Sequence, residues 1–229
     1  MIIYKGDIKL RIVVVSPHPD DETLGAGGFI LKQKQLGNEV YWINMTDVDE
    51  KYGWDSEYVN NRRKQINDVC NFYKFNNFYN LKFIPSKLEN TDKAEIIERF
   101  GKCIHDIRPE WLVLPNPYDA HTDHMITYEV GMSCSKIFRY PYIKRIMTME
   151  ILSETDFSKT GEQFSPNYFI DIGDVIEDKV NAMKIYDTEL GEPPFPRNLE
   201  AIRSLALLRG GTSGCRYAEA FKMIKQIEM

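Results

Sequence analysis

The run Ile12-Val13-Val14-Val15 contains no polar residue. As a strand it therefore buries both of its faces, which requires cover on both sides of the sheet it joins. Val40 to Met45, Phe78 to Ile84 and Trp111 to Leu114 follow as further short β-rich runs. Helical stretches separate them, at Leu24 to Leu36, about Glu57 to Tyr73 and Lys93 to Ile107, with another helix starting near Asp123. This pattern predicts an α/β, Rossmann-like fold with a mostly parallel sheet and helices on both faces. Ile143 to Ile151 and Tyr168 to Ile172 are weaker strand candidates. Asp174 to Tyr186 and Leu199 to Leu208 read as helices, with a break at Pro193, Pro194 and Pro196 between them. With no repeat, low-complexity tract or clear linker, residues 1–229 are expected to form one domain with a C-terminal extension.

Composition narrows the partners. A net charge of −5 gives no electrostatic case for nucleic acid, which needs clustered excess Lys and Arg. The local triplet Arg62-Arg63-Lys64 reads as a solvated helix face or as a contact for an anionic ligand group. Cys70, Cys103, Cys134 and Cys215 are widely spaced without a C-x-x-C pair, which suits reduced thiols and a cytoplasmic location. Met1 to Leu10 carries charges and no apolar stretch of 7–15 residues, and the longest early apolar run is Ile12 to Val15, so neither a signal peptide nor an integral membrane segment is expected. The oligomeric state stays open, a homo-oligomer included.

In open parallel sheets, ligands bind beyond the carboxyl ends of the strands. Two segments lie there: Ser16-Pro17-His18-Pro19-Asp20-Asp21-Glu22 after the first strand, and Asp119-Ala120-His121-Thr122-Asp123-His124 after the fourth. They hold three of the four histidines. Residues three apart on a tight turn project to one side, and a catalytic zinc needs three N, O or S ligands plus an open position. Two His and one Asp would meet that need, leaving a carboxylate and a His–Asp pair for proton transfer. Taken alone, Asp20-Asp21-Glu22 would equally serve as a helix start, and a lone histidine as a core residue. His105, late in a helix, reads as structural.

The stretch His18-Pro19-Asp20-Asp21-Glu22-Thr23-Leu24-Gly25-Ala26-Gly27-Gly28 resembles the signature loop of the LmbE-like, or PIG-L, deacetylase family. Asp119-Ala120-His121-Thr122-Asp123-His124 resembles its second motif. Pro196-Arg197, Glu200-Ala201-Ile202, Arg209-Gly210, Gly214 and Ala218-Glu219-Ala220-Phe221 follow its tail. The resemblance implies a zinc-dependent removal of an acetyl group from an N-acetylated, GlcNAc-type amino-sugar conjugate. It implies His18, Asp21 and His124 as zinc ligands and Asp20 as general base. His121, oriented by Asp123, would stabilise the oxyanion and protonate the leaving amine. Arg62 would bind substrate, with Arg63 as its neighbour in the alignment. Thr122, Gln65 and Ser86 depart from the pattern, where proline, glutamate and aspartate are usual.

Two other readings compete. Gly25-Ala26-Gly27-Gly28 with Asp47 about 20 residues later suggests a dinucleotide-binding domain. The glycines come late after the strand, however, and Asp20, Asp21 and Glu22 would repel a pyrophosphate. A non-catalytic sugar-binding protein with the same fold is the other.

Overall fold

The computed structural model describes residues 9–158 and 163–228; of the charged N-terminal stretch only Lys9 and Leu10 fall within it. In chain order the elements are β1 (Arg11–Ser16), α1 (Asp21–Gln35), β2 (Glu39–Thr46), α2 (Ser56–Tyr73), β3 (Asn77–Phe83), α3 (Lys93–Ile107), β4 (Trp111–Leu114), α4 (Thr122–Ser133), β5 (Arg145–Met149), β6 (Tyr168–Asp171), α5 (Ile176–Met183), α6 (Leu199–Ser213) and β7 (Ala218–Gln226).

The sheet runs in the order β3-β2-β1-β4-β5-β7-β6. β1 to β5 are parallel, whereas β7 pairs antiparallel with both β5 and β6. The apolar character of β1 follows from cover on both faces. Ile12 and Val14 pack with Phe29, Ile66 and Val180 from α1, α2 and α5. Val13 and Val15 pack with Ile96, Phe100 and Ile104 of α3 and Val130 of α4. Every residue of the expected run is fully buried.

The C-terminal extension continues the same sheet. β7, for which only its tail motif stood out in the sequence, inserts between β5 and β6 and carries Glu219 under α1. Glu219 accepts from the Gly28 and Phe29 N–H groups at 2.8 and 2.6 Å, and pairs with buried Lys179 at 2.6 Å. Lys179 in turn donates to the Leu24 carbonyl at 2.8 Å. The glycine run makes this approach possible. A Cβ on Gly28 would lie 2.6 Å from Ile172, and one on Gly25 2.8 Å from Met149. These glycines sit inside α1, which starts at Asp21, so they form no phosphate-cradling loop. That removes the structural basis of the dinucleotide reading.

The helix expected over Asp174 to Tyr186 is shorter, Ile176–Met183, because Tyr186 leads into a 3₁₀ turn at Asp187–Glu189. That turn brings Glu189 to the site. Among the described residues, no helix is long and apolar enough to cross a membrane.

Candidate active site

From β1 the chain winds one way to β2 and β3, and from β4 the other way to β5. The β1/β4 boundary is thus the switch point where the crevice of such a sheet opens. The two histidine segments leave these neighbouring strands, and a cleft of about 280 Å³ lies over them.

Among the described residues, His18, Asp21 and His124 form one of two groups of potential metal ligands; His18, His121 and Asp123 form the other. His18 Nδ1 lies 3.4 Å and His124 Nε2 3.3 Å from Asp21 Oδ2. The opposite nitrogen of each ring meets a buried carboxylate. His18 Nε2 is 3.0 Å from Asp123 Oδ2, and His124 Nδ1 is 2.8 Å from Asp119 Oδ2. Carboxylates only accept here, so they hold the ring protons on the far sides and leave Nδ1 of His18 and Nε2 of His124 toward Asp21. Nε2 of His124 is buried with no hydrogen-bond partner. An orphaned imidazole nitrogen beside a carboxylate fits a cation held between them.

The electrostatics agree. Burial opposes charge on His18, but Asp123 and Asp21 outweigh it and push the imidazole up to about 9. His124 is raised for the same reason, burial being overcome by Asp21 and Asp119. Burial alone would raise Asp21, yet His124 and His18 hold it below the usual carboxylate range. The cluster thus favours positive charge at its centre.

Asp20 is different. It is buried, its Oδ2 has no hydrogen-bond partner, and burial together with neighbouring Asp21 raises its proton affinity well above the usual range. Its φ of 134° is a strained, left-handed backbone for a non-glycine residue, of the kind kept at functional sites. Asp20 makes no side-chain cap, and Asp21 Oδ2 bonds back to the His18 N–H. Glu22 does take the helix-start role, accepting from the Asp20 N–H at 3.0 Å.

His121 is the N-cap of α4, its Nδ1 accepting from the Asp123 N–H at 3.0 Å. The Asp123 main chain orients it, while the carboxylate holds His18 and accepts from the Ser86 and Leu88 N–H groups. Burial, with His18 nearby, lowers His121 to about 4. The neutral ring therefore carries its proton on Nε2, 3.3 Å from Ser86 Oγ. The expected imidazolium is disfavoured, because protonating Nδ1 would break the cap.

Arg62 lines the cleft, whereas Arg63 and Lys64 are exposed and do not line it. Its guanidinium is largely committed within the protein. It donates to the Pro19 carbonyl at 2.5 Å and to Gln65 at 3.2 Å, and pairs with Glu189 at 3.2 Å. Arg62 thus braces the loop that carries Asp20 while lining the cleft. His105 stands apart, stacked on Tyr140 at 4.8 Å.

Several site residues escaped the sequence reading. Asp119 needed only the rule that a ligating imidazole requires an acceptor on its other nitrogen. Arg197, 3.6 Å from Asp20 Oδ2 and 3.7 Å from Glu189 Oε2, comes from a distant loop and gave only a tail motif. Trp54, Tyr58 and Glu154 line the cleft with no local signal, and Asp47, read in the sequence only as the acid of a dinucleotide site, lines it too.

Fold and site together define an open α/β domain with a histidine–carboxylate cluster able to hold a metal ion at its switch-point crevice. The family model described as PIG-L, GlcNAc-PI de-N-acetylase, matches residues 13–135, and the chain belongs to that family. It is 26% identical over 97% of its length, and 85% of the relative's, to a diacetylchitobiose deacetylase of Thermococcus kodakarensis. The inhibitor-bound N,N'-diacetylchitobiose deacetylase of Pyrococcus horikoshii superposes with a TM-score of 0.76 at 23% identity, covering 94% of this chain and 84% of that one. A 4-carboxy-2-hydroxymuconate hydratase of Pseudomonas putida superposes with a TM-score of 0.73 at 16% identity, covering 97% and 98%. Likeness of fold therefore leaves the reaction to be argued from the site.

Proposed function

We propose that the chain is a zinc-dependent hydrolase that removes the acetyl group from the nitrogen of a GlcNAc-type amino-sugar conjugate. The observation that carries the reading is the convergence of His18 Nδ1 and His124 Nε2 on Asp21 Oδ2, at 3.4 and 3.3 Å. Two ligands each about 2.0–2.1 Å from a tetrahedral zinc stand about 3.3–3.4 Å apart. His18, Asp21 and His124 would hold the ion, and Asp123 and Asp119 would fix the two imidazoles. When bound, zinc supplies Lewis acidity toward water and the amide carbonyl.

The remaining chemistry falls to the chain. Asp20 takes a proton from the attacking water on Oδ2 as the oxygen bonds to the acetyl carbon. Burial and the neighbouring Asp21 raise its proton affinity above the usual carboxylate range, the direction in which a base must move to hold a proton near neutrality. The His121 Nε2–H donates to the carbonyl oxygen as negative charge develops there. Asp20 then returns its proton to the nitrogen as the C–N bond breaks, releasing acetate and the amine. Arg62, braced against the Pro19 carbonyl, holds Asp20 in place. Similarity to the Thermococcus diacetylchitobiose deacetylase over nearly the whole chain supports an N-acetylated amino sugar as substrate.

Metal analysis combined with acetate release from a panel of N-acetylhexosamine conjugates tests this. The expected result is about one zinc per chain and acetate from at least one conjugate. Zinc-replete protein that releases none would overturn the deacetylase reading, and protein that binds no zinc would overturn the ligand set.

A further inference from the structure

The segment that joins β2 to α2 presents aromatic side chains on a fixed backbone. Asp49 starts a 3₁₀ turn at Glu50–Tyr52, its carboxylate accepting from the Lys51 N–H at 3.0 Å. Gly53 closes that turn at φ 95°, a left-handed conformation that residues with a Cβ rarely adopt. Two residues on, Asp55 caps α2 by accepting from the Glu57 and Tyr58 N–H groups at 2.8 and 3.3 Å. Trp54 therefore stands between two capped turns, with Tyr52 edge-on to its ring at a centroid distance of 6.5 Å. Tyr52 is 43% exposed and Trp54 half-buried, so both rings keep open surface.

Trp54, Pro85 and Ser86 line the catalytic cleft together with His18, Asp20 and His121. The same three residues line a second, more open groove of about 600 Å³. Tyr52 and Ile84 continue its apolar wall, and Asn90 and Thr91 add polar groups. The junction of the two is tied to the chemistry. Ser86 donates its N–H to Asp123 Oδ2 at 2.7 Å, and its Oγ lies 3.3 Å from His121 Nε2. At about 280 Å³ the cleft sits at the small end of ligand sites, roughly 300–1,000 Å³, so it takes one sugar ring and leaves the rest of a conjugate outside. The groove opens from that same edge.

Its chemistry selects the occupant. Aromatic and proline surfaces match the apolar C–H face of a pyranose, and amide and hydroxyl groups match its hydroxyls. The polar groups disfavour a bare acyl chain, which would strip them of water and return nothing. Among the described residues lining it, Lys87 is the only cation, and no arginine offers a two-pronged contact to a phosphate.

We propose that this groove is a second subsite, holding a neutral hexopyranose joined to the amino sugar in the cleft, with Trp54 and Tyr52 as its stacking surface. This rests on the proposed function for the amino sugar and adds that the substrate is at least a disaccharide.

Calorimetric titration of zinc-loaded protein tests it, with acetate release followed in parallel. The probes are N-acetylglucosamine, N,N'-diacetylchitobiose, octyl N-acetylglucosaminide and N-acetylglucosamine 1-phosphate. The disaccharide is expected to bind the parent protein about 10-fold more tightly than the monosaccharide, the gain of one aromatic stack. Trp54→Leu and Tyr52→Leu keep apolar bulk but lose the flat face, and in each the advantage should shrink to about 2-fold or less. Trp54→Phe should recover part of it, and Tyr52, on the surface, decides the matter if the Trp54 variants fail to fold. No advantage in the parent, an advantage unchanged in both leucine variants, or no binding of any of these sugars would overturn the inference. A larger advantage for the octyl or phosphate derivative would overturn it as well. An advantage that depends on Trp54 and Tyr52 without acetate release would leave it standing and remove the deacetylase reading instead.

Discussion

Asp119 Oδ2 lies 2.8 Å from His124 Nδ1, and both side chains are buried. This single contact decides which imidazole nitrogen faces Asp21. Asp119 is itself anchored, its other oxygen accepting from Asn116 at 3.1 Å and Thr155 at 2.7 Å. Asp119→Ala is therefore expected to lower zinc affinity by about 10- to 100-fold with the three ligands untouched. Competition with a chromogenic chelator measures this, and unchanged affinity would show that His124 needs no outer partner.

Asp20 and Asp21 are adjacent and equally charged, but their surroundings separate their roles. Asp21 is held ionised between two imidazoles, while Asp20 is buried with an oxygen that accepts no hydrogen bond. Asp20→Asn should keep its zinc and lose about 10²-fold or more in acetate release. Asp21→Asn should bind zinc weakly and recover some activity when zinc is added. Metal loss in the first variant with retention in the second would reverse the assignment.

Arg62→Ala should lower kcat more than it raises KM, because the guanidinium braces the Asp20 loop through the Pro19 carbonyl. The same change strands that carbonyl and Glu189, so stability should fall by about 1–3 kcal/mol. Steady-state kinetics beside a denaturant melt checks both. A pure KM effect would restore the direct substrate contact expected from the sequence.

Glu22 accepts from Asp20 N–H, Thr23 Oγ and Tyr186 Oη, and burial pushes its carboxyl up to about 7. The folded state then binds this proton more tightly than the unfolded state. Stability from this group is present at low pH and is lost as pH rises from the unfolded value, about 4.3, through about 7. Glu22→Gln should therefore compare more favourably with the parent at alkaline than at acid pH, by about 1–3 kcal/mol. Chelator-treated protein, melted in denaturant on either side of this window, keeps metal binding out of the slope. A difference of the opposite sign would place the charged form as the stable one.

The α/β class was legible from β1 to β4 because burial on both faces removes polar residues from a strand, and that is a local property of the chain. The loop carrying His18, Asp20 and Asp21 was legible only beside a second histidine loop at a matching strand end, since alone its residues would equally serve a helix start or the core. The same holds for the loop carrying His121 and His124. β7 was not legible as a strand: Ala218–Gln226 mixes charged and apolar residues, and its pairing with β5 and β6 depends on segments far away in sequence.

Sequence alone determined the element types from β1 to β4 and the inventory of candidate ligands, because hydrophobic period and side-chain chemistry are written residue by residue. Only the tertiary structure decided how those ligands are presented. It turned the Asp123 carboxylate to His18, leaving His121 to the Asp123 main chain. It committed Arg62 to the Pro19 carbonyl and set the Lys179–Glu219 pair under α1. It brought Asp47 to the wall of the cleft. A hydrogen bond joins groups by distance and direction, and for residues tens to nearly two hundred positions apart these exist only once the sheet has formed.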